Sequence, residues 1–167
     1  IKILFLFLLL NTPVHSVIIN KILINGNERI SNETIKLFSK ANIKDEINQN
    51  DINSILKDLY KTNYFENVSV TLENNNLIIY VKEYPIIQSI NYIGIKSSKI
   101  LENITFEKLI KEKSPYNDFF LKNEIDKINI KLKELGYYNS KLITSIENLD
   151  DNLVNVNFNI ELGDKAK

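Results

Sequence analysis

The stretch Leu59-Tyr60-Lys61-Thr62-Asn63-Tyr64-Phe65-Glu66-Asn67-Val68-Ser69-Val70 reads as the end of an amphipathic helix, a short polar bend closed by two aromatics, and the start of an alternating strand. The same figure returns about 73 residues further on as Leu132-Lys133-Glu134-Leu135-Gly136-Tyr137-Tyr138-Asn139-Ser140-Lys141-Leu142-Ile143. A helix-to-strand corner used twice implies two copies of one small unit.

Working outward from the first corner, Ile52, Ile55, Leu56, Leu59 and Tyr60 recur at helical spacing, and Asn50 or Asp51 is suited to open that helix. Before it, Ser31 or Asn32 caps a helix with Glu33 in its first turn and Ile35 and Phe38 on its buried side. Asn42 to Gln49 reads as a polar break between the two. A strand pattern from Val17 carries Ile18, Ile22 and Ile24 and stops at the turn-forming Asn25-Gly26-Asn27. After the corner, Phe65 to Glu73 and Leu77 to Glu83 flank Asn74-Asn75-Asn76 as a hairpin. The order is β-α-α-β-β.

Glu83-Tyr84-Pro85 closes that unit, because proline removes a ladder donor and biases its predecessor to extended backbone. In the second copy Ile90 and Gly94 stand where Ile22 and Gly26 stood. A helix is expected over Lys99 to Lys111, then a break at Ser114-Pro115, then a stripe of Leu121, Ile125, Ile128, Leu132 and Leu135 ended by Gly136. Lys141 to Asn148 and Leu153 to Glu161 form the second hairpin. There Val154, Val156, Phe158 and Ile160 alternate with Asn155, Asn157 and Asn159, one face core and one face wet. The expected fold class is α+β, with each unit a three-stranded sheet covered by two helices. The divisions are residues 17–84, residues 85–163, and residues 164–167 as the start of a linker.

Of the 167 residues 44% are hydrophobic and 25% charged, which is ordinary globular usage. Ile, Asn and Lys make up roughly two-fifths of the chain, a bias expected of an AT-rich genome and not of a prion-like tract. The 21 basic and 21 acidic residues balance, and no Lys/Arg cluster offers a phosphate backbone its counter-charge, so nucleic acid is not an expected partner. With no Cys there is neither a disulfide framework nor a thiolate metal site. The single His, His15, falls within Ile1 to Ser16, which reads as a secretory signal peptide: Lys2, an apolar run from Ile3 to Leu10, Pro13, and Val14-His15-Ser16 at the cleavage positions. That run is far short of the ~20 residues that span a bilayer. An exported chain without His has no imidazole base and no His-ligated zinc.

Several spaced motifs then bear a resemblance. Ile22-Leu23-Ile24-Asn25-Gly26-Asn27-Glu28-Arg29-Ile30, Tyr64-Phe65-Glu66-Asn67-Val68-Ser69-Val70, and Val81-Lys82-Glu83-Tyr84-Pro85-Ile86-Ile87-Gln88-Ser89-Ile90 are three of them. Gly136-Tyr137-Tyr138 and Glu161-Leu162-Gly163 are two more. Together they resemble POTRA domains, and more narrowly the first two repeats of outer-membrane protein assembly factors of the BamA kind. Two departures are local: Ile93-Gly94-Ile95-Lys96 stands where the family usually shows Gly-Asn, and Asn42 to Gln49 lacks the usual glycine.

The resemblance implies two tandem POTRA domains at the periplasmic face of the outer membrane of a Gram-negative bacterium. They would precede further repeats and a C-terminal membrane barrel absent from this sequence. It implies as partners unfolded outer-membrane proteins and accessory assembly lipoproteins, with no cofactor. The same architecture serves secretion and autotransporter-assembly transporters, TamA and two-partner secretion pores among them. If the family's topology holds, the second strand of each repeat is an exposed edge to which an extended client segment adds through main-chain hydrogen bonds. The residues so implied are Val68, Ser69, Val70, Thr71, Leu72 and Glu73 in the first repeat, and Leu142, Ile143, Thr144, Ser145, Ile146 and Glu147 in the second.

Rival readings lack their chemistry. A KH nucleic-acid module also opens β-α-α-β but needs a Gly-x-x-Gly loop, which neither Asn42 to Gln49 nor Lys113 to Asn117 supplies. No nucleophile with a base and no Gly-rich phosphate loop is present, so no catalytic activity is expected. Asp45-Glu46 and Asp150-Asp151 read as turn formers and not metal ligands. Tyr64-Phe65 and Tyr137-Tyr138 read as plugs in the core at the two corners.

Overall fold

The computed structural model describes residues 16–166, so the expected signal segment lies, Ser16 apart, outside the described residues. The described chain divides into two compact units, one of residues 16–62 and 68–81, the other of residues 63–67 and 82–166.

The first sheet has β5 (Asn76–Glu83) at its centre, with β2 (Lys21–Asn25) parallel on one side and β4 (Phe65–Glu73) on the other. Two helices fill the crossover between β2 and β4, the length that a parallel first strand requires. Helix α1 (Asn32–Ser39) starts where the Ser31 hydroxyl accepts from Thr34 N–H at 3.2 Å. Helix α2 (Gln49–Lys61) begins one or two residues before its expected start. Its cap is Asn48, in a capping box with Asp51, and this satisfies amides that the first turn leaves open. The core of this sheet is Leu77, Ile79 and Val81 on β5 with Ile35, Ile55 and Leu59 on the helices.

The strand expected to run from Val17 is two strands. Strand β1 (Val17–Ile18) pairs antiparallel with β3 (Glu46–Ile47), a ribbon that the polar break was not expected to contain. Between β1 and β2 the chain kinks, with Ile19 N–H donating to Asp45 O at 2.9 Å and Lys44 N–H to Ile19 O at 2.8 Å. The kink shifts the alternation: Ile19 is fully buried, whereas Ile18, expected inside, is 53% exposed.

In the second sheet β8 (Leu153–Glu161) is central, parallel to β6 (Ile86–Ile93) and antiparallel to β7 (Lys141–Leu149). Helix α4 (Asp118–Glu134) buries Leu121, Ile128 and Leu132 against Val154, Val156, Phe158 and Ile160, with Ile125 half-buried beside them. Helix α3 (Ser98–Thr105) ends six residues before its expected end at Lys111. Phe106 is already extended (φ −65°, ψ 131°) and Glu107 has φ 52°, so the chain leaves the helix there.

What holds the following loop is a buried charge. Glu124 on α4 is fully buried, accepts from Leu109 N–H at 2.6 Å, and pairs with Lys127 Nζ at 2.9 Å. Lys127 in turn donates to the carbonyls of Phe106 (3.2 Å) and Glu107 (3.0 Å). Main-chain groups released by the short helix are thereby satisfied.

The two turns that stop β2 and β6 are the same. Gly26 and Gly94 have φ of 82° and 95°, and a Cβ on either would collide with the carbonyl oxygen of Val81 or Ile160 respectively. The departure at Ile93-Gly94-Ile95 therefore leaves the turn itself intact. Both hairpins use two residues of positive φ: Asn74 and Asn75 form a two-residue loop of the type I′ kind, and Asp151 and Asn152 end a three-residue loop between the paired Leu149 and Leu153.

Candidate functional site at the open sheet edges

All twelve sequence-predicted site residues fall on β4 or β7, and both strands are edges of their sheets. Each sheet has a second edge as well, β2 and β6. On β4, Val68 is buried and Val70 and Leu72 are half-buried, while Ser69, Thr71 and Glu73 face out. Glu66 and Asn67 are both exposed, so the alternation slips by one residue near the strand's start. Just after this slip, Val68 N–H donates to the Tyr60 hydroxyl at 3.1 Å. A side chain of α2 thus satisfies the first edge amide, and strand alternation turns the main-chain groups of Val70 and Leu72 the same way.

Beside those residues runs a groove of about 480 Å³, lined by Val70, Thr71 and Leu72 on one side and by Ile47, Asn48, Gln49 and Ile52 on the other. Strand β3 and the first turn of α2 thus form the far wall. Sequence reasoning missed this wall because a two-residue strand carries no periodicity; the buried Ile47, alone among polar neighbours, was the available signal. The groove runs beside an open strand edge, and both walls contribute polar and apolar side chains.

On β7, Leu142, Thr144 and Ile146 point inward and half-buried, opposite Ile160, Phe158 and Val156 of β8. Lys141, Ile143, Ser145 and Glu147 face out, Ile143 with 64% exposure. The outer face of this sheet is an amide ladder. Ser89 donates to Asn155 (2.7 Å), Asn155 to Glu147 (2.9 Å), and Asn91 to Asn157 (2.8 Å).

The aromatic corners divide rather than act as pairs. Phe65, the first residue of β4, is buried and Tyr137 half-buried, but Tyr64 just before that strand and Tyr138 in the turn ahead of β7 are exposed. Burial, with the Glu124 charge adding to it, raises the Tyr92 phenol above its ordinary value. Burial also raises Tyr116, whose hydroxyl donates to Asp118. Both phenols stay neutral and neither is a base. Among the described residues no group of three His, Cys, Asp or Glu is placed to hold a metal ion, and Asp45 is engaged in its turn, accepting from Asn42 N–H at 2.7 Å. No helix among them is long and apolar enough to cross a membrane.

Comparison with known proteins agrees with this geometry. The family model for POTRA, described as surface antigen variable number repeat, matches residues 17–84 and again residues 85–163. The chain belongs to the POTRA family. The outer membrane protein assembly factor BamA of Neisseria meningitidis serogroup B is 25% identical over 154 residues, covering 89% of this chain and 19% of that protein. The two POTRA repeats here thus span about a fifth of the length of that relative.

Among solved structures, the N-terminal domain of Omp85 from Thermosynechococcus elongatus matches with a TM-score of 0.56 at 14% identity, over 86% of this chain and 63% of that one. POTRA1-2 of the periplasmic domain of Omp85 from Anabaena matches with a TM-score of 0.51 at 11% identity, over 87% of this chain and 96% of that one. These structures share the POTRA fold.

Proposed function

We propose that this chain is the periplasmic POTRA region of an outer-membrane protein assembly factor, exported to the inner side of the outer membrane, where it assists folding and insertion of β-barrel proteins. It acts by binding and not by catalysis. Its clients are unfolded outer-membrane proteins, held by strand addition, and it works beside accessory lipoproteins and an outer-membrane barrel. The observation that carries this reading is the β4 edge facing its own groove. Main-chain pairing is indifferent to client sequence, while Val70 and Leu72 on the strand side and Ile52 across the groove give a client's alternate apolar side chains a surface to meet. The BamA relative supports the assignment to assembly. The β7 edge offers the same main-chain chemistry.

The test is binding of a fluorescent peptide of about ten residues copied from a transmembrane β-strand. Val70→Pro removes a main-chain donor at the edge, which a solvent-side strand position tolerates, and is expected to weaken binding at least tenfold. Val70→Ile, which keeps both the donor and the apolar side chain, is expected to bind as the parent does. Equal binding by the parent and Val70→Pro would overturn the reading.

A further inference from the structure

The edge strand of the second sheet is complementary to itself. Two copies of one edge pair antiparallel about a two-fold axis only where opposed residues share a place in the alternating hydrogen-bond pattern. With the axis at Thr144, Lys141 stands opposite Glu147 of the second copy, Leu142 opposite Ile146, Ile143 opposite Ser145, and Thr144 opposite itself. Lys141 and Glu147 lie exposed on the same outer face, so two opposite-charge pairs close the ends of the ladder. Asn155 holds the Glu147 carboxylate on that face at 2.9 Å. Leu142 and Ile146 meet on the inner face and extend the apolar layer that Ile160 and Val156 begin.

Neighbouring registers lose the charge match. An axis at Ile143 sets Lys141 against Ser145, and an axis at Ser145 sets Lys141 against Leu149 and Glu147 against Ile143. Strand β4 has no counterpart, because its charged residues, Glu66 and Glu73, are both acidic.

We propose that the chain self-associates through an isologous β7 pair, joining two three-stranded sheets into one continuous sheet across the two-fold. The pair covers β7 against indiscriminate strand addition. It does not depend on client capture.

Because the chain has no cysteine, single-cysteine variants of the full chain report the register directly. Directly opposed Cβ atoms lie about 4.5–5.5 Å apart, so Thr144→Cys is expected to form a disulfide dimer on mild oxidation. Two copies of Lys141→Cys, offset by six residues or about 20 Å, are expected to cross-link about tenfold less. Should Thr144→Cys fail to fold, a mixture of Ile143→Cys and Ser145→Cys, both exposed, reads the same register as a heterodimer. In the Thr144→Cys background, Glu147→Lys is expected to cut the yield about fivefold, and Lys141→Glu combined with Glu147→Lys to restore it. A Thr144→Cys chain that folds but stays monomeric, equal yields at 141 and 144, or a yield indifferent to charge reversal would each overturn the proposal.

Discussion

β4 and β7 occupy the same place in two sheets of the same topology, the outer strand of a hairpin whose partner is central, yet they present different surfaces. β4 slips its alternation at Glu66 and Asn67, gives its first edge amide to Tyr60, and faces a groove walled by Ile47 and Ile52. β7 pairs with β8 over its whole length and carries opposite charges at positions related by its own midpoint. Topology therefore creates an open edge, and sequence decides what the edge accepts. On this account β4 takes a foreign strand and β7 takes a copy of itself.

The largest expected effect lies behind β7. Lys127→Ala leaves Glu124 buried without its cation and frees the carbonyls of Phe106 and Glu107. A loss of about 3 kcal/mol is expected in urea unfolding followed at β7 amides, with β7 cross-linking lost as the sheet melts. Next come the matched turns. Gly26→Ala and Gly94→Ala each force a Cβ against a carbonyl and a residue into positive φ, and each is expected to cost about 1–3 kcal/mol. Similar losses at the two sites would confirm that the repeats use one turn; a silent Gly94→Ala would break the equivalence.

Tyr60→Phe tests β4 alone. It removes the acceptor for Val68 N–H at a cost of about 1 kcal/mol, and is expected to shift peptide contacts toward Val68 because that amide becomes free.

The smallest effect is at Asp58, whose carboxyl is held below the usual value by the hydrogen bond from Lys40, against some desolvation, with the Lys40 and Lys61 charges assisting. Its folded value is depressed, so its contribution is present above the unfolded carboxylate range and is lost as pH falls through the folded value. Asp58→Asn is expected to flatten the acid limb of the stability curve slightly, leaving neutral pH almost unchanged and peptide binding at β4 unaltered.

Much of this architecture was legible in the sequence because it depends on local signals. The β4 and β8 boundaries, the two hairpin turns and the α4 stripe each follow from alternation, Asn-rich turns or helical spacing. What stayed hidden depends on long-range pairing. The β1–β3 ribbon has two residues per strand and no period to read, and the early end of α3 is set by Glu124 and Lys127 on another helix. Glu124 falls outside the apolar spacing that marks α4, and only packing shows it as a buried acceptor. The two candidate stretches were legible as strands, but the groove beside Val70–Leu72 was not, since Tyr60 and Ile47 reach that edge from other elements.

Strand capture at β4 is tested most directly by residue-resolved NMR of the chain titrated with the membrane-strand peptide. The account predicts amide shifts and slowed hydrogen exchange concentrated at Val70, Thr71 and Leu72, with smaller shifts at Ile47 and Ile52 across the groove. A folded spectrum in which those amides do not move, or move no more than the outward face of β8, would contradict it.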